Sequence, residues 1–478
     1  MNRIELERVK PGRVGLRAQG VEAFLDGLEQ AGLQLHSLMI LRHDKVAAEG
    51  WWAPYDKDTP HMMFSLSKSF TALGVGLAVQ EGRMRLSDKP AEYFPELLPA
   101  RPCENMALMT VKDMLCMSTG HSEEPEALVP KTNWAERFLR SYVDKTPGTV
   151  FTYNTAASYM LSAMVQKATG ERLLTYLTPR LFDKLGIEKP TWEQSPQGVD
   201  AGGFGLSLKT EDIARFGWML LHRGEFMGQR VIAPEWVDEM SAYQADNSPG
   251  REKDWAQGYG YQIWRCVPHG VYRGDGAFGQ YCIVMPEQDA VIAITSGVSD
   301  MQAVLDLVWA HILPAMEDAP IEDQLKAEAH LRARLGGLSI PLPAGDRMFP
   351  QNRNGETVFG DNPLGLKKLR LTFEGFSDRL EMEFEDGTHL HCPVGHGCYL
   401  PKATPVPLEH SFEPQILGRK VCCAGAWDSS EYHLRMVHIT TPWIDDLRLT
   451  FTPGGLTVQF ERNVGFTPMK WTLTGIRA

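Results

Sequence analysis

The sequence has no apolar run long enough to span a membrane, and it has few cationic residues relative to acidic ones. Its N-terminal segment, MNRIELERVKPGRVGLRAQG, carries charges throughout and has no apolar core region of the kind that a secretory signal needs. Lys and Arg number 48 against 60 Asp and Glu, which gives a net charge of -12. We therefore expect no membrane partner and no nucleic-acid partner, because both require a basic surface or an apolar span.

Cysteine is also sparse for a chain of this length, and its pattern excludes a disulfide scaffold. The eight cysteines are scattered, and several lie in apolar runs typical of strands. We interpret them as reduced thiols and predict a cytoplasmic protein. Their positions are Cys103, Cys116, Cys266, Cys282, Cys392, Cys398, Cys422 and Cys423.

The 478 residues, 43% of them hydrophobic, are enough for two or three domains with sizeable cores. Helical and strand patterns mix over residues 1–319, and a charged helical segment with glycines and prolines at 320–345 has the composition of a linker. From 346 to 478 apolar and polar residues alternate in short runs separated by turns, which predicts an antiparallel β-sheet or barrel of about eight strands. The predicted strands are 368–373, 380–384, 390–393, 421–426, 432–439, 447–451, 456–460 and 471–476.

A possible zinc site lies in the C-terminal region, in the segment HCPVGHGC. His391, Cys392, His396 and Cys398 are all potential ligands. Adjacent strand residues point to opposite faces, however, so His391 and Cys392 are poorly placed for one tetrahedral site. We predict a plain hairpin here, with no metal, and no cofactor in the protein.

The most informative stretch is Met63–Phe70, which opens a long apolar helix that ends before Gly82. On such a helix Ser65 and Lys68 lie one above the other, which places a hydroxyl beside an amine. Burial lowers the pKa of a lysine and allows it to take the serine proton, so the pair has the chemistry of a nucleophile and its base. The helix N-terminus also favours an oxyanion beside Ser65.

Each of these features has a simpler interpretation. S-x-x-K occurs by chance, a serine before a helix is commonly an N-cap, and a tyrosine before a buried helix, such as Tyr153, is commonly a core residue. Residues 274–279 match G-x-G-x-x-G, but strand-forming residues and Pro286 follow the glycines instead of a helix. We therefore exclude a dinucleotide site.

Five segments of the chain form a characteristic set when taken in order: Ser65-Leu66-Ser67-Lys68, VKDMLCMSTG at 111–120, Tyr153-Asn154-Thr155, GGFGLS at 202–207 and the glycine-rich turn before Tyr281. In this order and spacing they resemble the penicillin-recognising serine hydrolases over about residues 15–315. This superfamily includes class C β-lactamases, D-Ala-D-Ala carboxypeptidases, D-aminopeptidases, family VIII esterases and 6-aminohexanoate-dimer hydrolases.

The resemblance implies an α+β fold, with a five-stranded antiparallel sheet flanked by helices, a helical subdomain and the active site between them. Ser65 matches the nucleophile, Lys68 its base, and Tyr153 the proton-relaying tyrosine of Y-x-N. The N–H groups of Ser65 and Ala277 match the oxyanion hole. The predicted fold is thus a β-lactamase/transpeptidase-like domain followed by an all-β domain.

Two departures from the family pattern concern predicted substrate-binding positions. Thr155 stands where the family usually has Asn or Ser. In the third motif Gly274 or Asp275, depending on the alignment, stands where the family has Lys or His, and Gly276 follows. Loss of that cation disfavours binding of the carboxylate of a penicillin, and an aspartate would repel it.

We predict a serine hydrolase that acts on a small ester or amide substrate through an acyl-enzyme. The alternatives are a D-amino-acid peptidase or weak β-lactamase, and a catalytically inactive member that binds a ligand. The sequence does not specify the substrate, and it leaves open whether the chain forms a homodimer.

Overall fold

The computed structural model describes residues 4–346, 354–373, 377–403, 420–467 and 469–478. Its helices follow the apolar periodicity of the sequence, and several end at a glycine in the left-handed conformation, as at Gly32 and Gly170. The helices are α1 Ala18–Ala31, α2 Ser67–Gln80, α3 Pro90–Tyr93, α4 Glu104–Leu108, α5 Val111–Leu115, α6 Trp134–Leu139, α7 Thr155–Thr169, α8 Leu173–Leu177, α9 Asp183–Leu185, α10 Thr210–Leu221, α11 Pro234–Ser241, α12 Met301–Leu307 and α13 Leu325–Gly336. No helix of these ranges is long and apolar enough to cross a membrane.

The strands of the N-terminal part are β1 Leu35–Arg42, β2 Lys45–Trp51, β3 His61–Met62, β4 Thr191–Trp192, β5 Leu206–Leu208, β6 Glu225–Phe226, β7 Gln229–Arg230, β8 Trp264–Arg265, β9 Tyr272–Gly276, β10 Gln280–Met285 and β11 Ala290–Ser296. Six of them form an antiparallel sheet in the order β2-β1-β11-β10-β9-β8, with helices on its faces. The α+β prediction is confirmed.

Three details of the sheet differ from the sequence prediction. The sheet has six strands instead of five, because the two-residue β8 pairs with β9. The sequence of residues 260–266 also predicts a strand, but Gln262 has a positive φ of 57°, which interrupts the extended conformation. Residues 272–276, which the glycines made look like part of a turn, form strand β9.

The C-terminal residues form a β-barrel. Its strands are β12 Gly355–Phe359, β13 Leu366–Phe373, β14 Ser377–Phe384, β15 His389–Gly395, β16 Leu400–Ala403, β17 Lys420–Asp428, β18 Glu431–His438, β19 Ile444–Thr452, β20 Gly455–Arg462 and β21 Lys470–Arg477. Neighbouring strands pair antiparallel, and a short parallel pairing of β15 with β17 closes nine of them into a ring, with β16 outside it. Alternate side chains fill the interior with an apolar core. All eight predicted strands are present, and β12 and β16 were not predicted.

The segment 320–345, predicted as a linker, contains α13, which packs against α1 and β2. Leu331 and Leu335 are buried in the same apolar cluster as Val437 and Ile444 of the barrel. The barrel is therefore packed against the N-terminal part through a shared apolar core.

A pair of buried histidines lies at this junction. His36 Nδ1 and His61 Nε2 are 3.1 Å apart, and the ring of His36 stacks on Tyr55 at 3.9 Å. The Tyr55 hydroxyl donates to the carbonyl of Thr441, next to the barrel strands. Burial lowers the pKa of His61 from 6.5 to about 4. Burial is also the main cause that lowers the pKa of His36, and the repulsion by a protonated His61 adds to it. Both rings are therefore neutral in the folded protein near pH 7.

This pair predicts loss of stability in mild acid. The unfolded chain takes up protons on these histidines as the pH falls below about 6.5, whereas the folded protein resists until about pH 4. The shift at His61 is expected to lower the free energy of unfolding by about 3 kcal/mol between pH 7 and pH 4. Urea unfolding at a series of pH values measures this.

His61→Gln is expected to be less stable at pH 7 but to show a shallower pH dependence than the parent. His269→Gln, at a histidine whose side chain is 92% exposed, serves as the control and should leave the pH dependence unchanged. Parallel curves for the parent and His61→Gln would contradict the prediction.

Candidate active site

Ser65 lies in a short 3₁₀ turn, Phe64–Leu66, immediately before α2. Phe64 has a φ of 46°, a left-handed conformation that is costly for a bulky residue. Lys68 is in the first turn of α2, and its Nζ lies 3.0 Å from Ser65 Oγ. The predicted juxtaposition of the hydroxyl and the amine is present in the structure.

The Lys68 side chain is buried and fixed by two other contacts. Its Nζ donates to the carbonyl of Gly203 at 2.7 Å and to Thr155 Oγ1 at 3.4 Å. Burial lowers the pKa of Lys68 to about 7, and the negative charges of Glu124 and Asp275 oppose the shift. A neutral amine has two protons and one lone pair, so with both protons directed to these acceptors its lone pair faces Ser65 Oγ.

Tyr153 joins this pair from the segment before α7. Its hydroxyl hydrogen-bonds with Ser65, its ring stacks on Trp264 at 5.4 Å, and Lys68 Nζ lies 4.9 Å from the ring centre. Burial raises the pKa of Tyr153 far above 10, so the phenol keeps its proton near neutral pH. The three predicted catalytic side chains are thus in contact with one another.

The two residues that follow Tyr153 have separate tasks. Asn154 is fully buried, and its side chain accepts from the backbone N–H of Ala157 as the N-cap of α7. Thr155 lines the cleft and contacts Lys68, and its backbone N–H donates to Glu124 at 2.5 Å. Thr155 therefore occupies the predicted position beside the pair, and Asn154 does not replace it.

Strand β9 passes directly over the turn that carries Ser65, and two glycines make this possible. A Cβ on Gly276 would lie 2.1 Å from the carbonyl of Met63 and 3.1 Å from the nitrogen of Ser65. A Cβ on Gly274 would meet Leu66 and Ser69. The close approach brings the backbone at 276–277 next to the N–H of Ser65, and Ala277 lines the same cleft.

Asp275 faces the cleft, whereas Gly274 packs against α2, so Asp275 is the third-motif residue that a substrate would meet. Its carboxylate accepts from Arg273 Nε at 2.9 Å, and the pair is almost fully buried. Arg273 also donates to the carbonyl of Asp254 and lies over Trp255 at 4.6 Å. The Arg273 guanidinium neutralises Asp275 and is not available to a substrate in the cleft.

The cleft beside Ser65 has a volume of about 510 Å³ and a largely aromatic wall. Its lining residues are Phe64, Ser65, Glu124, Tyr153, Thr155, Phe204, Arg251, Trp255, Trp264, Asp275, Ala277, Met301 and Phe466. Trp134 is not among these lining residues, because it is buried against Tyr159 and Phe204 in the core.

Glu124, Arg251 and Phe466 were not predicted as site residues. Glu124 belongs to the loop after His121, whose acidic residues were the only signal in the sequence. Arg251 lies over the rings of Phe151 and Trp264 at 4.6 and 5.9 Å. No ion pair of Arg251 is present within the described part of the chain, so it offers the cleft a cation.

The potential zinc ligands of the segment 391–398 lie apart. His391 is exposed and 3.4 Å from Glu381, whereas Cys392 is buried in the barrel core, as their alternation predicts. His396 lies 2.9 Å from Asp378. The described ranges contain no group of three or more His, Cys, Asp or Glu side chains that could hold a metal ion.

A family model and the sequence of a known protein each match more than half of the chain. The model of the Beta-lactamase family matches residues 21–309. A 6-aminohexanoate-dimer hydrolase from Paenarthrobacter ureafaciens is 28% identical over 289 residues, which cover 55% of this chain and 73% of that protein.

Two solved structures share the fold at low sequence identity. EstCE1, described as a hydrolase with promiscuous acyltransferase activity, gives a TM-score of 0.52 at 14% identity and covers 61% of this chain and 99% of its own. The octameric penicillin-binding protein homologue from Pyrococcus abyssi gives 0.50 at 16% identity over 92% of this chain and 99% of its own. Because the family model matches more than half of the sequence, the chain belongs to the Beta-lactamase family.

Proposed function

We propose that the protein is a serine hydrolase that cleaves a small ester or amide through an acyl-enzyme on Ser65. The observation that carries the proposal is the 3.0 Å approach of Lys68 Nζ to Ser65 Oγ, with the lysine buried and its pKa near neutrality. A serine becomes a nucleophile only when a base takes its proton, and a buried, neutral lysine is such a base.

The first half of the reaction forms the acyl-enzyme. Ser65 Oγ attacks the substrate carbonyl carbon while Lys68 Nζ takes the hydroxyl proton. The N–H groups of Ser65 and Ala277 stabilise the oxyanion. The tetrahedral intermediate then collapses, the bond to the leaving group breaks, and Tyr153 donates its proton to the leaving group and regains one from Lys68.

The second half hydrolyses the acyl-enzyme. A water molecule gives a proton to the Tyr153–Lys68 pair and attacks the ester carbon. The bond to Ser65 Oγ breaks, and the serine regains its proton from the pair. The carboxylic acid leaves, and the protein returns to its starting state without a cofactor.

The names of the similar proteins agree with acyl transfer, since one is a 6-aminohexanoate-dimer hydrolase and the other is described as a hydrolase with promiscuous acyltransferase activity. The alternative of a β-lactamase or D-amino-acid peptidase is supported by Arg251, a cation that faces the cleft. The inactive alternative is disfavoured by the contacts among Ser65, Lys68 and Tyr153.

A fluorophosphonate probe followed by peptide mass spectrometry tests the proposal. An adduct on Ser65 is expected, and a panel of p-nitrophenyl esters, D-amino acid p-nitroanilides and nitrocefin then ranks the substrate classes. A protein that is not labelled and hydrolyses none of these compounds would support the inactive alternative.

The pKa of Lys68 predicts the pH dependence. The amine acts as a base only when neutral, so kcat/KM for p-nitrophenyl acetate is expected to fall about tenfold per pH unit below pH 7, reaching about 100-fold at pH 5. The protein is kept at pH 7 and diluted into the assay buffer, so that slow acid unfolding does not contribute. A flat profile down to pH 5 would contradict a lysine base.

We also propose a cytoplasmic location and a small-molecule substrate. None of the eight cysteines, all of which lie within the described ranges, forms a disulfide.

A further inference from the structure

The barrel contributes one side chain to the cleft of the N-terminal part. Phe466, in the connection between β20 and β21, lines the cleft with Ser65, and 67% of its surface is exposed. An aromatic side chain so exposed loses the benefit of burial, unless something apolar covers it. Because Phe466 lies beside the nucleophile, a bound substrate is the group that would cover its ring.

The segment that carries Phe466 is held firmly at its start. Arg462 donates from Nε and Nη2 to the two carboxylate oxygens of Asp445, at 2.6 and 2.8 Å, and both side chains are buried. His438 contacts the same carboxylate at 2.8 Å. Asn463 accepts from the N–H of Ile444 at 2.8 Å and donates to the neighbouring carbonyl of residue 442. The position of Phe466 is thus anchored by the barrel itself.

Phe466 belongs to an aromatic cluster beside the predicted oxyanion hole. Its ring centre lies 5.1 Å from that of Phe278 and 6.1 Å from that of Phe64, and Phe64 and Phe278 meet edge to face at 5.3 Å. Phe64 precedes Ser65 in the chain, and Phe278 follows Ala277. The cluster therefore borders the two N–H groups that would hold the substrate oxyanion.

Tyr153 packs in a different aromatic group, with Tyr259 and Trp264. The leaving group of a substrate must lie beside Tyr153 and Lys68 to receive a proton. The other substituent of the carbonyl carbon is the acyl chain. It would lie against the Phe64–Phe278–Phe466 cluster, which is next to the predicted oxyanion hole.

We propose that Phe466 is a specificity residue that binds an apolar acyl group, so that the barrel completes the substrate site. The inference rests on the proposed hydrolase function and names its substrate class: esters or amides of carboxylic acids with an apolar chain of several carbons. Removal of the ring would remove apolar contact with a long chain and leave a short acetyl group unaffected.

Phe466→Ala tests this with two esters that share a leaving group. For p-nitrophenyl hexanoate kcat/KM is expected to fall about tenfold or more, whereas for p-nitrophenyl acetate it is expected to change less than about twofold. Phe466→Leu, which keeps an apolar side chain, is expected to recover most of the hexanoate activity. Ile476→Ala, at an exposed apolar side chain of β21 outside the cleft lining, is the matched control and should leave both esters unchanged.

The outcomes separate the two proposals. If the parent is labelled on Ser65 and hydrolyses both esters, but Phe466→Ala affects them equally or not at all, the acyl-binding role is overturned and the hydrolase function stands. If the parent is neither labelled nor active, the hydrolase function fails and the acyl-binding role fails with it.

Discussion

Ser65→Ala is expected to lower kcat/KM for p-nitrophenyl acetate by about 10⁴-fold or more. The substitution removes the only atom that forms the acyl-enzyme, and neither Lys68 nor Tyr153 can replace an alcohol at that place. The change is also small enough to keep the fold, since an alanine fits the turn before α2. Steady-state assays of the purified variant, with circular dichroism as the check on folding, measure the effect.

Ser67→Ala is the matched control, because it is the same substitution two residues away. The buried Ser67 hydroxyl donates to the carbonyl of Phe64 at 2.6 Å and accepts from the N–H of Leu206 at 3.1 Å, and it makes no hydrogen bond with the Lys68 amine in the described part of the chain. This variant should retain a fluorophosphonate adduct on Ser65, whereas Ser65→Ala should give none. Unchanged turnover by Ser65→Ala would remove the nucleophile assignment.

Lys68→Met is expected to lower kcat/KM by about 10³-fold, in the range of a lost general base. Methionine has a similar length but no amine, so Ser65 keeps its place and loses the group that takes its proton. Thermal stability is expected to stay equal or rise, because an ionisable group no longer has to be kept in a buried site. Lys68→Arg is expected not to restore activity, since a guanidinium stays protonated at neutral pH.

Lys167→Met provides the comparison on a neighbouring helix. Lys167 is about half exposed on α7 and pairs with Glu96 at 3.3 Å, so its loss should leave activity within about twofold. If Lys68→Met retained the parent rate, a base other than Lys68 would have to be sought.

Most of the fold was predictable from local patterns. Each of these patterns lies within one short segment of the sequence: the glycines that end α1 and α7, the apolar run of α2 and the alternation in eight barrel strands. Strand β9 was missed because its sequence, YRGDG, is typical of a turn. It is a strand because glycines allow the backbone to lie against α2, which is a tertiary effect.

The residues of the candidate site likewise fall into those that the sequence predicts and those that only the folded chain reveals. Ser65 and Lys68 follow from helical spacing, and Tyr153, Thr155, Asp275 and Ala277 follow from the family resemblance. Arg251 and Phe466 come from loops distant in the sequence and have no motif, so only the folded chain brings them to the cleft. The ion pair of Asp275 with Arg273 could not be predicted either, because the sequence does not show whether the Arg273 side chain points towards Asp275 or towards the substrate.

The buried pair of Arg273 and Asp275 has a consequence for how new specificity can arise in this protein. Replacing Asp275 with the lysine that penicillin-acting relatives carry would place a second cation against Arg273, in a site with little solvent to screen them. A single exchange is thus blocked by repulsion, and Arg273 would have to change in the same step. Selection for penicillin-like substrates would therefore require two simultaneous substitutions at this pair, or would have to use Arg251, the cation that already faces the cleft.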